Sequence, residues 1–189
     1  IFLTTVLGSS MALVGVIEGI AEATAGLLKG YFGNLSDKVG KRSIFVVLGY
    51  GISAIAKPLP GIFQNIPIVL TSRVSDRVGK GIRTAPRDAL LASYSDGNSG
   101  AVFGFHRAMD TLGAAIGPII ALILLKFFPD NFQLIFLVAF VPSVTAVFFT
   151  LLVKDKQTSV KVKSRKNYLE FWKSAPKQYK KILLLIVTF

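Results

Sequence analysis

Gly33-Asn34-Leu35-Ser36-Asp37-Lys38-Val39-Gly40-Lys41-Arg42 is a polar stretch set between two apolar ones. Its two glycines permit tight turns, and its aspartate suits a helix cap or an ion pair. Lys38, Lys41 and Arg42 make it basic. The apolar run before it extends from about Met11 to Phe32. The run after it extends from Ser43 to about Leu59, where Pro58 and Pro60 stop a helix. Each approaches the ~20 residues that a helix needs to cross a bilayer. The alternation continues down the chain. A third run spans about Pro67 to Ser93 with internal charge, a fourth Ala101 to Leu125, and a fifth Phe132 to Val153. The expected fold is an all-α integral membrane helical bundle with about five full spans.

Composition agrees. The 189 residues are 52% hydrophobic, yet 22 Lys+Arg stand against 10 Asp+Glu, a net charge of +12. Mean hydropathy is +0.59. A soluble nucleic-acid-binding domain of this basicity would spread its cations over amphipathic elements. Here they fall in blocks between apolar runs, so the partners expected are a lipid bilayer and a small solute, with no nucleic acid. The apolar content excludes disorder. There is no cysteine, which excludes disulfides, thiolate metal sites and cysteine nucleophiles. The single histidine, His106, argues against a histidine metal site. No G-x-x-x-x-G-K-[ST] string occurs, which argues against an ATPase. No catalytic residue, metal or cofactor is expected.

The links set the orientation. Those at 34–42 and 154–181 carry three and ten Lys/Arg, whereas those at 57–66 and 126–131 carry one each. By the positive-inside rule the rich side is cytoplasmic. The link at 94–100 falls on that side without a cation of its own. Residues 1–153 form the expected helix bundle, 154–181 a basic cytoplasmic link, and 182–189 the start of a further span. The link reads as a topology determinant, with an amphipathic helix on anionic lipid as the alternative. A chain that starts outside at Ile1 implies an earlier span, to which residues 1–7 are expected to belong.

Charges inside spans cost several kcal/mol each by insertion scales and persist where they face a bundle interior or a water-filled path. At 100° per residue, Glu18, Glu22 and Lys29 fall within about 40° on the first span. On the third, Arg73, Asp76, Arg77, Lys80, Arg83, Arg87 and Asp88 occupy an arc of about 140°. This stripe is expected to point inward. Asp76 is expected to pair with Arg73 or Lys80, and the excess of cations to be met by Glu18, Glu22 or Asp110. Arg83 and Arg87 suit snorkelling at the cytoplasmic end. On the fourth span Arg107 and Asp110 can pair locally, and Gly113, Gly117 and Pro118 give a flat, bent surface. The second and fifth spans lack stripes and read as outer helices. Glu18 and Glu22 either fix packing or titrate in a transport path; two carboxylates one turn apart at low dielectric resist ionising together, as proton coupling requires.

The stretch from Gly33 to Arg42 closely resembles the signature G-x-L-x-D-[RK]-x-G-[RK]-[RK] of the major facilitator superfamily, where it joins the second and third helices on the cytoplasmic side. Arg73-Val-Ser-Asp-Arg-Val-Gly79-Lys-Gly81 is similar to that family's fourth-helix motif R-x-x-x-G-x-G-x-G, with Arg77 in place of the first glycine. Gly113-Ala-Ala-Ile-Gly117-Pro118 resembles the fifth-helix antiporter motif, whose closing glycine pair is Ala121-Leu122 here. The string from Asp76 to Leu91 resembles a bacterial branch with poorly defined substrates.

The resemblance covers nearly the whole chain. It implies helices two to six, the central loop and the start of helix seven of a twelve-helix carrier. It further implies alternating access in the cytoplasmic membrane, driven by a proton gradient, with proton-coupled efflux of a small organic solute as the expected function. Gly33, Asp37, Lys38, Gly40, Lys41 and Arg42 would form the cytoplasmic gate. Glu18, Glu22, Arg73, Asp76, Arg77, Lys80, Arg107 and Asp110 would line the path, and Gly113, Gly117 and Pro118 the bend. A sensor or scaffold on the same fold, and a carrier of anionic or lipid-like solutes, are the alternative readings.

Overall fold

The computed structural model describes residues 10–63, 65–129, 131–156, 175–176 and 178–180. Among the described residues six helices follow one another: α1 (Met11–Val39), α2 (Arg42–Ala56), α3 (Leu59–Ile62), α4 (Ile66–Ser93), α5 (Ser99–Phe127) and α6 (Phe132–Leu151). No strand occurs among the described residues. All six lie in one compact unit, Ile1–Thr158. The expected readings of residues 1–7, of most of the basic link and of 182–189 fall outside the described residues.

Three stretches are long and apolar enough to cross a membrane: Arg42–Ile62, Ser99–Phe127 and Phe132–Leu151. At 1.5 Å per residue the 29 residues of α1 and 28 of α4 extend about 40 Å, also beyond the ~30 Å of a hydrocarbon core. These two carry the charges, and they carry them against each other.

The α4 helix is the centre of the fold, with α1 on one side and α2 on the other. Small residues set both approaches. Ile17, Ala21 and Ala25 recur every four residues on α1 and are buried, and Gly81 of α4 meets them: a Cβ there would sit 2.9 Å from the Ala25 carbonyl. On the other side Gly49 of α2 faces Gly79 of α4. The contact is sealed by polar groups that satisfy each other at depth. Ser72 Oγ donates to the Ala56 carbonyl at 2.6 Å, and Ser53 Oγ to the Asp76 carbonyl at 3.3 Å. The expected outer position of the second span is therefore corrected. Its buried face, Phe45, Val46, Gly49, Ser53, Ala54 and Ala56, makes α2 part of the core. The lack of a charged stripe hid this, because the face is small and apolar rather than polar.

The α6 helix lies on α2 and α3. Lys57 Nζ donates to Ser143 Oγ at 2.9 Å, and Gly61 of α3 lets Phe136 approach. Phe140, Phe148 and Phe149 stay on the surface, as the fifth span was expected to show. By contrast α5 has no buried residue.

Helix starts are built locally. Asn65 Oδ1 accepts the Ile68 N–H at 3.0 Å and Pro67 sits in the first turn, so α4 begins there. Asn65→Ala is expected to cost about 1 kcal/mol, read as a lowered midpoint in chemical unfolding of the detergent-solubilised protein. An unchanged midpoint would show the cap to be redundant with the proline.

Candidate functional site

The α4 residues Arg73, Arg77 and Lys80 are spaced at i, i+4 and i+7 and share one face. That face meets Glu18 and Glu22, one turn apart on α1. Arg73 Nη1 lies 2.9 Å from Glu18 Oε1, and Arg77 Nη2 lies 3.3 Å from Glu18 Oε2. Arg77 Nε lies 3.3 Å from Glu22 Oε2, and Lys80 Nζ 3.3 Å from Glu22 Oε1. Each carboxylate thus takes two cations, and Arg77 joins both. Its side chain is 26% exposed where that of Glu22 is 59% exposed, so Arg77 is the inner pin of the ladder.

Asp76 does not form the expected local pair with Arg73 or Lys80. Both of those cations are drawn across to α1 instead. Among the described residues the Asp76 carboxylate makes no hydrogen bond or ion pair. The three cations of the ladder face two carboxylates, a net charge of +1, and the Asp76 carboxylate on the same helix offsets it. A strongly cationic path, as the third span suggested in sequence, is not what the helices build.

The rest of the stripe turns elsewhere. Arg83 folds onto α2: its Nη1 donates to Ser53 Oγ at 2.6 Å and to the Gly49 carbonyl at 3.3 Å. Its guanidinium carbon stands 4.3 Å from the Tyr50 ring centre, a cation–π contact. Arg87 pairs with the adjacent Asp88 at 3.0 Å. The seven charges therefore do not line one path, and Arg83 does not snorkel. An arc of about 140° is wide enough to touch two neighbours at once.

On α5 the expected Arg107–Asp110 pair is absent. Asp110 Oδ2 lies 3.8 Å from His106 Nδ1, an ion pair only when the imidazole is protonated. Arg107 and Asp110 are exposed, and neither joins the ladder. Gly113 and Gly117 face open space, and Pro118 lies within the helix on the same exposed stretch.

The Gly33–Arg42 stretch is not the loop that its composition suggests. Residues 33–39 finish α1, and only Gly40 and Lys41 are non-helical. The two glycines have different reasons to be there. Gly40 adopts φ +71°, a conformation that favours glycine. Gly33 is a packing position, where a Cβ would lie 3.0 Å from Ala85 Cβ. Asp37 does not cap α2. It pairs with Arg42 at 3.1 Å, while Arg42 Nη1 also donates to the Ala89 carbonyl at 3.3 Å. Lys38 and Lys41 are exposed.

Sequence reasoning missed Asp155. Its Oδ1 accepts the backbone N–H groups of Arg42 and Ser43, each at 2.9 Å, and its Oδ2 accepts Ser43 Oγ–H at 2.6 Å. It lies more than a hundred residues from them, inside a link whose ten cations outnumber its two acids. Its position two residues beyond the apolar run that ends at Val153 was the one sequence signal; that Lys41 gives α2 no side-chain cap shows only in the structure. The 94–100 link also finds the cation it lacks, since Lys156 Nζ pairs with Asp96 at 2.8 Å.

Comparison with known proteins gives the family. The family model described as Major Facilitator Superfamily matches residues 1–189. The chain belongs to the major facilitator superfamily. It is 35% identical to an uncharacterized MFS-type transporter of Methanocaldococcus jannaschii, over 99% of this chain and 46% of that one. It is 33% identical to uncharacterized proteins of Mycobacterium tuberculosis and Mycobacterium bovis, over 60% of this chain and 28% of theirs. The chain spans less than half the length of these relatives. Superfamily membership, an all-helical architecture among the described residues and three bilayer-length apolar stretches make it part of a multi-pass membrane protein.

Proposed function

We propose that the protein is a secondary active transporter of the cytoplasmic membrane, moving a small organic solute by alternating access with proton-coupled efflux as its direction. The observation that carries this is the ion-pair ladder between α1 and α4. Two bilayer-length helices hold five charges in mutual contact, from about a quarter of the way along to the midpoint of their lengths. Charge placed there is costly and persists where it serves a path or a relay. α1 and α4 thereby join the three apolar stretches as spans. Asp76 is the first candidate for the coupling proton, because it can accept one without breaking an ion pair. Glu18 and Glu22 each release two cations when protonated, which would link proton uptake to separation of the helices. The turn at Gly40 and the Asp37–Arg42 pair would gate the cytoplasmic side. The near-neutral charge count removes the support for selection of anionic solutes by the stripe.

The test uses everted vesicles carrying the intact protein under an imposed pH gradient. A panel of cationic, neutral and anionic organic solutes is added. A subset is expected to dissipate the gradient, and Asp76→Asn to slow this at least about tenfold, on the order of 1.4 kcal/mol. Solute movement that survives both gradient collapse and Asp76→Asn would overturn the coupling.

A further inference from the structure

Lys154, Asp155 and Lys156, which follow shortly after α6, each hold a different part of the same end of the bundle. The Lys154 carbonyl accepts the Tyr94 O–H at 2.7 Å. Asp155 accepts three hydrogen bonds from the start of α2. Lys156 pairs with Asp96 and lies 5.6 Å from the Tyr94 ring centre. Between them they reach the α1–α2 turn and the α4–α5 turn. Asp155 is the most committed of the three. A helix start presents N–H groups without partners and a partial positive charge, and a carboxylate satisfies both. Capping normally comes from the residue at the helix start, but here that residue is Lys41, which makes no side-chain cap. The cap arrives from another part of the chain.

We infer that Asp155 is the positioning residue of the cytoplasmic gate turn, a pin that ties the beginning of the basic link to the N-terminus of α2. Arg42 is then held twice. Its backbone N–H is fixed by Asp155, and its side chain by Asp37 and the Ala89 carbonyl. Releasing the backbone contact lets the turn at Gly40 and Lys41 shift, and with it the Arg42 side chain that joins α1 to α4. The pin stands on the geometry above. Its effect on transport rests on the transporter reading.

The intact protein in nanodiscs tests both parts. Asp155→Ala is expected to speed amide hydrogen exchange at Arg42 and Ser43 by about tenfold, since hydrogen bonds to a charged acceptor are lost. Exchange along α1 and α4 should stay as in the parent. Asp155→Asn preserves shape and one acceptor, so it guards against misfolding and should give an intermediate increase. Asp155→Glu should restore much of the protection. Unchanged exchange in Asp155→Ala, or exchange raised equally throughout the bundle, overturns the pin. For a solute that the panel identifies, Asp155→Ala is expected to change the maximal rate with KM unmoved. A KM that moves in proportion to the rate overturns the positioning role. If the pin is seen but no solute moves in the parent protein, the transporter reading fails and the pin stands on exchange alone.

Discussion

Gly79→Val should cost the fold about 3 kcal/mol, the upper end of the range for overpacking a close contact. A Cβ at Gly79 would lie 2.5 Å from the Gly49 carbonyl oxygen, 2.6 Å from Ser53 Oγ and 3.2 Å from the Ser53 backbone nitrogen. Two of these three neighbours are backbone atoms of α2 and have no rotamer to change. The third, Ser53 Oγ, is held at 2.6 Å by Arg83 and donates to the Asp76 carbonyl. Relief therefore requires α2 and α4 to separate, which removes the Arg83 contacts as well. The reciprocal position predicts the same, since a Cβ at Gly49 would sit 2.5 Å from Arg83 Cβ. Gly19 is the control. Nothing lies within 4 Å of a Cβ there, so Gly19→Ala should be neutral or stabilising by up to about 1 kcal/mol, the ordinary helix preference for alanine. Melting of the detergent-solubilised intact protein reads both. Equal midpoints for Gly79→Val and the parent would mean that the helices do not meet at these glycines.

The contrast between these two glycines shows where sequence reasoning stops. The five long helices and their order were legible because length and apolar content act over about 20 residues and need no partner. The ladder was half legible. Period 3.6 placed Glu18 with Glu22, and Arg73 with Arg77 and Lys80, on single faces. It could not say which helix each face meets, so Asp76 was given Arg73 and Lys80, and Arg83 was sent to the headgroups. Partner choice depends on helix approach, which Gly49, Gly79 and Gly81 decide. Nothing in the pattern separates those three from Gly15 or Gly19. Asp155 was illegible for a related reason. Its meaning lies in the uncapped start of α2, a hundred residues earlier, and the cations around it dominate any local reading.

Arg77→Gln is expected to be the most damaging single change in the ladder. It leaves Glu18 with Arg73 alone and Glu22 with Lys80 alone, and, counted with Asp76, it moves the set from neutral to a net negative charge. Removing one member of a buried ion pair costs about 3–5 kcal/mol, and an exposed pair is worth about 1 kcal/mol or less. With Arg77 mostly buried and Glu22 mostly exposed, about 2 kcal/mol is the expected loss. Adding Glu22→Gln to Arg77→Gln restores neutrality and should recover a good part of it. Additive effects, within about 0.5 kcal/mol, would mean that the two side chains do not interact. The same pair of substitutions separates packing from relay. If the ladder only joins α1 to α4, the double variant regains both stability and solute movement. If Glu22 takes part in moving protons, the double variant regains stability while solute movement stays uncoupled from the pH gradient, because an amide completes the contact and cannot carry the proton.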